Sequence, residues 1–410
     1  MNILFPLKNR QRLPAFCTML LCLFLTQPSP VFGGIESKLS KKIGENDAVL
    51  LANPSGKILF SKNGSKRRVP ASTLKIFTAL FALETLGPDF RFQTEFYLDK
   101  SSNLIIKGYG DPLMVSEAVK EIAETLKEKI STYNDLVLDD SYFTTPLTIP
   151  GVTASLQPYD APNGALCVNF NTVFFKRKKN GTYISAEPQT PLLPFVMKKA
   201  KASKLKKGRI IFSQKRHEIT LYAGHLFRHF LSKAGVAQKG QIRLGKAPRG
   251  TDRLIYRHRS RYRLEEIVSR LMEHSNNFTA NQILIAAGAK IAKPPGTLDK
   301  GVQEAKHFAE ETLGLDNLSI AEGSGISREN RISANTMLTL LKAFESYRHL
   351  LRYEDGIFYK TGTLYGISTR AGYIEHRDGR LFPFVVFFNT RGRSAEKLIS
   401  DIVGLVQASN

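Results

Sequence analysis

Apolar and polar positions alternate at two different periods along this chain, and the change of period marks its parts. Residues 48–60 (AVLLANPSGKILF) hold two short apolar runs around the Asn53-Pro54-Ser55-Gly56 turn, predicting a pair of strands. A helix is expected over 72–86, with Leu74, Ile76, Phe77, Leu80 and Phe81 as its apolar positions and Gly87-Pro88 as its stop. From about Arg91 to Tyr256 the pattern breaks into short β-rich pieces: FRFQTEFYLD, NLIIKGYGDP, DLVLDDSYF, ALCVNFNTVFF, GRIIFS and HEITLY. One helix is expected there, near 222–235. Helical spacing returns over 264–290, 299–313 and 333–350. The strands GIFYKTGT, TRAGYIEH and LFPFVVFFN follow, the last two joined by the Arg377-Asp378-Gly379 turn, before a closing amphipathic helix over 394–407. Strands at both ends with helices between them predict an α/β (α+β) domain built from 34–92 and 256–410. A β-rich domain, 93–255, is then inserted into it.

The first residues change the picture of where the chain works. Lys8, Arg10 and Arg12 precede an apolar run over 14–25, and Pro28, Ser29 and Pro30 break it before the small-residue positions around Gly33. This is the pattern of a secretory signal peptide, 1–33; the run falls short of the roughly 20 residues a spanning helix needs. A periplasmic or extracytoplasmic location is expected. Cys17 and Cys22 would leave with the signal, so Cys167 would be alone, with neither an intramolecular disulfide nor a cysteine-based metal site.

Charge changes it again. The chain has 59 Lys+Arg against 36 Asp+Glu, a formal net of +23. Residues 171–264 contain 24 of those basic residues and only Glu187, Glu218 and Asp252 as acids, a local net of +21. The excess belongs to one segment, and a docking surface for an anionic envelope polymer or membrane surface is expected there. Nucleic-acid binding conflicts with export.

Three short motifs could carry chemistry. Ser72-Thr73-Leu74-Lys75 opens the first predicted helix, where residues three apart share a face, so Lys75 can serve as the base that a serine nucleophile requires. Burial near another cation would lower the lysine pKa toward neutrality. The same spacing occurs at Ser203/Lys206 and Ser394/Lys397, which read as solvated surface. Ser275-Asn276-Asn277 falls at a break in a helical region, where a hydroxyl and an amide can project into a cleft. Lys360-Thr361-Gly362 ends a predicted strand. There a lysine and the hydroxyls of Thr361 and Thr363 can hold a carboxylate, and Gly362 permits close backbone approach.

The order S-x-x-K, S-x-N, K-T-G is the set found in penicillin-binding proteins and class A β-lactamases. With the further stretches LIIKGYGDPL, LVLDDSYF, PYDAPNGALCVNFNTV, EGSGISRENRISANTM and KTGTLYG, the chain resembles the DacB-type D-alanyl-D-alanine carboxypeptidase/endopeptidases, the class C low-molecular-mass penicillin-binding proteins. That family has a domain inserted after the nucleophile helix, and here 203 residues separate Ser72 from Ser275. The resemblance implies a penicillin-binding transpeptidase-like domain and a serine DD-peptidase acting on peptidoglycan stem peptides, open to acylation by β-lactam antibiotics. Ser72 would attack, Lys75 would take its proton, Ser275 would relay it, and Asn277 would position Lys75. Lys360, Thr361, Gly362 and Thr363 would bind the terminal carboxylate, and Arg328 and Tyr365 would contact the stem-peptide side chain. No cofactor and no metal are implied.

Glu322 stands where the family usually has Asp, Ala280-Asn281 replaces Ala-Glu, and Arg261-Tyr262 sits at a common Ser-Pro. Two other readings remain open at this level: a serine β-lactamase, and a basic envelope-binding protein on an inactive peptidase scaffold. Outside the motifs, His225 and His229 read as a surface helix, His274 as a partly buried structural residue, and Asp139-Asp140 as a turn pair.

Overall fold

The computed structural model describes residues 39–144, 147–248 and 253–407; the expected signal segment, with Cys17 and Cys22, lies outside the described residues. β1 (Ala48–Ala52) and β2 (Ile58–Lys62) form the first hairpin, and a single 3-10 turn, Ala71–Leu74, leads into α1 (Lys75–Leu86). The chain then runs through β3 (Gln93–Leu98), β4 (Leu104–Gly108), α2 (Ser116–Lys127), β5 (Thr132–Tyr133) and β6 (Leu136–Asp139). Next come β7 (Thr172–Arg177), β8 (Tyr183–Ser185), α3 (Pro194–Ala202), β9 (Lys207–Ile211), α4 (Arg216–Lys233), β10 (Ala237–Gln238), β11 (Ile242–Leu244) and β12 (Leu254–Arg259). It returns through α5 (Leu264–His274), α6 (Asn277–Ala292), α7 (Leu298–Leu313) and α8 (Ala334–Phe344). The last elements are β13 (Arg352–Glu354), β14 (Ile357–Leu364), β15 (Ile367–Glu375), β16 (Leu381–Phe388) and α9 (Ala395–Gln407).

The termini close one sheet, in the order β13-β14-β15-β16-β1-β2. Both of its faces are covered, which is why β1 and β16 are apolar throughout rather than alternating. Val49, Leu51, Phe384 and Val386 face α9, while Leu50, Val385 and Phe387 face the cluster built on α1, α6 and α8. α1 is buried continuously from Lys75 to Leu83 and so has no polar face. This places its first residue, a lysine, inside the core.

β3 leaves this body and β12 re-enters it, and the two pair antiparallel with Gln93 opposite Arg259. Between them lie a five-stranded sheet (β11-β6-β4-β3-β12), a three-stranded sheet (β8-β7-β9), the short pair β10-β5, and three helices. A second hydrophobic cluster, including Phe96, Leu138, Phe175, Tyr222 and Phe227, holds them. The mixed α/β architecture expected from the pattern is what the chain adopts, but this middle part is less purely β than expected. HEITLY is not a strand; it opens α4, where Ile219, Tyr222, Ala223, Leu226, Phe227, Phe230 and Leu231 recur at helical spacing and are all buried. α2 and α3 were likewise not anticipated. Asp139 and Asp140 are buried rather than exposed in a turn. Asp139 accepts from the backbone N–H groups of Ser141 (2.9 Å) and Ala247 (2.8 Å), and Asp140 from the Thr220 hydroxyl (2.8 Å).

Candidate active site

Ser72 sits in the 3-10 turn ahead of α1, directly after Ala71, which is fully buried with φ at +48°. The left-handed region is costly for a residue with a Cβ, by about 1–2 kcal/mol, and here surrounding contacts enforce it. Gly325 and Gly362 approach the same backbone: a Cβ on Gly325 would lie 1.9 Å from the Ala71 carbonyl oxygen, and one on Gly362 would lie 2.7 Å from the Ser72 nitrogen. Thr369 adds a bond from its hydroxyl to the Pro70 carbonyl (2.7 Å). The turn that carries the hydroxyl is therefore held between two glycine-lined surfaces.

Lys75 is fully buried and its Nζ has three contacts: Ser72 Oγ at 2.9 Å, Asn277 Oδ1 at 2.8 Å and the Ser324 carbonyl oxygen at 2.6 Å. Two of these partners can only accept. A neutral amine thus spends both N–H groups on Asn277 and Ser324, and its lone pair is left toward the Ser72 hydroxyl. Burial drives the Lys75 pKa well below the ordinary lysine value, the nearby Lys360 lowers it further, and Glu322 partly opposes them. Asn277 is itself oriented by donating from Nδ2 to the Tyr159 carbonyl (3.3 Å).

Ser275 caps α5 in the left-handed conformation (φ +53°, ψ +35°), and Asn276 accepts from the Thr279 N–H to start α6. This one-residue break turns the Ser275 hydroxyl toward Lys360, whose Nζ lies 2.9 Å from it and 3.0 Å from the Thr361 carbonyl. Burial lowers the Lys360 pKa to about 8. β13 pairs with β14 only as far as Tyr359, so on that side residues 360–364 are an open edge, while β15 pairs with all of them on the other. Thr361 and Thr363 are exposed on that edge.

The structure thus brings these residues into two neighbouring hydrogen-bonded sets, Ser72, Lys75 and Asn277 in one and Ser275 and Lys360 in the other, with residues 361–363 alongside. Arg328 and Tyr365 lie together beyond it: Arg328 donates to the Tyr365 carbonyl, and both line a cleft of about 610 Å³. Sequence reasoning missed the rest of this cleft, which includes Arg68, Arg331, Arg391 and Asn389; among the described residues, no carboxylate lines it. It also missed the carbonyls of Tyr159 and Ser324. Both belong to stretches that carry the family resemblance, PYDAPNGALCVNFNTV and EGSGISRENRISANTM, but a backbone carbonyl has no side-chain identity to mark it. His274 is a correction: its side chain is 64% exposed rather than buried.

Two departures from the family pattern sit in contact. Glu322, fully buried, accepts from the N–H groups of Ser324 (2.6 Å), Gly325 (2.6 Å) and Ser327 (3.3 Å) and from the side-chain amides of Asn281 (3.0 Å) and Asn330 (2.7 Å). Asn281 also receives the Gly323 N–H at 2.7 Å. One carboxylate and one amide together fasten the loop that presents the Ser324 carbonyl to Lys75. Among the described residues, no group of three or more His, Cys, Asp or Glu side chains is placed to hold a metal ion.

Comparison with known proteins agrees with this geometry. The chain is 25% identical over 445 residues to a D-alanyl-D-alanine carboxypeptidase of Actinomadura sp. (strain R39), covering 87% of this chain and 80% of that one. It is 25% identical over 431 residues to the D-alanyl-D-alanine carboxypeptidase DacB of Haemophilus influenzae, covering 88% and 89%. Its fold matches the crystal structure of penicillin binding protein 4 (dacB) from Haemophilus influenzae with a TM-score of 0.70 at 20% identity, over 91% of this chain and 97% of that one. Residues 42–357 match a single family, and the chain belongs to it: the D-Ala-D-Ala carboxypeptidase 3 (S13) family.

Proposed function

We propose that Ser72 is the nucleophile of this serine DD-peptidase and that Lys75 is its base. The observation that carries this reading is the Lys75 amine, buried and bound to two obligate acceptors, with Ser72 Oγ as its third neighbour. A stem peptide ending in D-Ala-D-Ala adds along the open edge of β14 as an extra strand. Its terminal carboxylate meets the third N–H of Lys360 and the hydroxyls of Thr361 and Thr363. Ser72 Oγ attacks the penultimate carbonyl as its proton passes to Lys75, and the backbone N–H groups of Ser72 and Thr363 hold the oxyanion. Ser275, bound to Lys360, relays the proton to the leaving amine. The C–N bond breaks, D-Ala departs, and water hydrolyses the Ser72 ester. With a cross-linked stem as leaving group, the same steps are endopeptidase action.

The arginine-lined cleft at Arg328 and Tyr365 takes the acidic side chain of the stem peptide. The chain acts outside the cytoplasm after export on residues 1–33, with the inserted domain at 93–255 turning its basic surface toward an anionic envelope. A β-lactamase would need a base to hydrolyse the penicilloyl ester quickly. Glu322, the carboxylate acting on Lys75, is occupied by five N–H donors, which favours a long-lived ester. Incubation with a D-Ala-D-Ala pentapeptide and with a cross-linked dimer tests the reading. D-Ala release and dimer cleavage are expected from the native chain and neither from Ser72→Ala; activity surviving that change would refute it.

A further inference from the structure

The inserted domain and the peptidase body meet beside the Ser275 turn around a cavity of about 310 Å³. The body supplies Tyr262, one face of α5 and the first turn of α6; the inserted domain supplies residues 113–117, 169–170 and 187–190 and Arg209 of β9. His274 and Asn276, the two neighbours of Ser275, line it, but no residue assigned to acyl transfer does. Its floor is apolar: Leu113, Ile267 and Leu271 are all buried. One wall is built under strain. Asn169, Phe170 and Asn171 follow one another at φ +49°, +57° and +53°, and an aromatic residue in that region is an outlier. Buried bonds hold the turn: Asn169 Oδ1 accepts the Ser116 N–H (2.9 Å), and Asn171 Nδ2 donates to the Pro162 carbonyl (2.8 Å). Phe170 is thereby set edge to face against Phe278 of α6, with centroids 6.2 Å apart, and lines the cavity from across the domain boundary.

Two buried hydroxyls open into this space. Thr190 and Thr279 line it at 6% and 3% exposure, and neither hydroxyl has a hydrogen-bond partner among the described residues. Neither oxygen is fully enclosed, so the small accessible part of each residue includes its hydroxyl. Buried polar groups are rarely left unpaired, and a ligand would complete these two. The charged groups around them balance. Glu187 is bound to Arg209, whose guanidinium also reaches the Thr172 hydroxyl (3.0 Å). On the body side the Arg270 guanidinium lies over the Tyr262 ring, 4.6 Å from its centroid, and Glu117 faces the cavity from the inserted domain. Among the described residues, the lining thus holds two carboxylates and two guanidinium groups.

An anion here would meet two carboxylates, and a cation two guanidinium groups, so the lining suits a neutral ligand. Carboxylates only accept and guanidinium groups only donate, and a hydroxyl answers both. The floor calls for C–H surface as well. A sugar ring offers hydroxyls at its edge and C–H bonds on its faces, and an acetamido substituent adds a donor, an acceptor and a methyl group. We propose that this cavity is a saccharide-binding site, taking an N-acetylhexosamine unit of the glycan that carries the stem peptides. The binding chemistry stands on the cavity alone; only the identity of the glycan rests on the peptidase reading.

Calorimetric titration of the full chain with tetra-N-acetylchitotetraose, acetate and choline tests it. Saturable binding of the oligosaccharide at one site is expected, with neither charged probe binding as tightly. Thr279→Val removes only the unpaired hydroxyl; it should weaken the oligosaccharide by about fivefold and leave the melting temperature unchanged or raised. Glu117→Gln with Arg270→Gln keeps the net charge and should weaken it by about tenfold, as loss of charge-assisted bonds implies. Ser72→Ala should bind the oligosaccharide as the native chain does, which separates this site from the nucleophile assignment. With substrates, kcat/KM for D-Ala release should be about tenfold higher for a pentapeptide carried on its disaccharide than for the free pentapeptide, mostly through KM. Thr279→Val should narrow that ratio while leaving the free-peptide rate and penicillin acylation unchanged. No saturable oligosaccharide binding, tighter binding of acetate or choline, or native affinity in both cavity variants would overturn the proposal. Equal kcat/KM for the two substrates would overturn the assignment to that glycan.

Discussion

Lys75 and Lys360 lie in the catalytic cleft at 0% and 3% exposure, while Lys176 and Lys207 face each other across β7 and β9 in open solvent. Both are pairs of like charges brought together by the fold. In the cleft the cost of desolvating two ammonium groups falls on protonation, so both pKa values drop, as the proposed role of Lys75 as a base requires. On the surface, water and salt screen the repulsion to about 1 kcal/mol or less. Those two lysines act as a field, with Lys207 resting over the Phe174 ring at 5.7 Å. The same side chain is chemistry in one place and electrostatic surface in the other, and burial separates the two uses.

Four changes would break or sharpen this contrast. The largest effect is expected at the proposed base: Lys75→Arg installs a charge it cannot lose, and penicillin acylation should fall by roughly 10³-fold or more in stopped-flow measurements. Gly325→Ala comes next, because its φ of +83° and the Ala71 carbonyl leave no room for a methyl group. Displacing the turn that carries Ser72, the proposed nucleophile, should cost about 10²-fold in acylation, together with a lower melting temperature. The third concerns pH. In its proposed role Lys360 binds a carboxylate as the ammonium form, so kcat/KM for D-Ala release should fall as pH rises through about 8. Lys360→Arg, charged at every accessible pH, should remove that falling limb at some cost in rate. The smallest effect belongs to the surface pair: Lys176→Gln with Lys207→Gln should change stability by no more than about 0.5 kcal/mol and leave acylation unaltered. It should still weaken salt-sensitive binding to isolated cell walls and anionic vesicles.

The cleft was legible in the sequence where identity and chemistry coincide. Two serines, two lysines and an amide at the right spacings have few other joint meanings; Lys75 lies within 3 Å of Ser72 and Asn277, and Lys360 within 3 Å of Ser275. What could not be read were groups without side-chain identity: the carbonyls of Ser324 and Tyr159, and the strained φ of Ala71. The helix α4 shows the limit on the fold. Six residues, HEITLY, fit a period of two as well as 3.6, and only eighteen residues of context separate them. The local charge was overstated for a related reason. Arg243, Arg257, Arg261 and Arg263 pair with Asp135, Glu95, Glu121 and Asp89, all outside the basic segment. The lysines that remain exposed on β7, β9 and α3 carry the field.

The pH dependence of penicillin acylation tests most directly the claim that burial makes Lys75 the base. The second-order rate constant should rise along a limb that is half-complete well below the ordinary lysine pKa of about 10.4, and Lys75→Arg should be slow at every pH. A limb at the ordinary lysine value, or an arginine variant that acylates at the native rate, would contradict it.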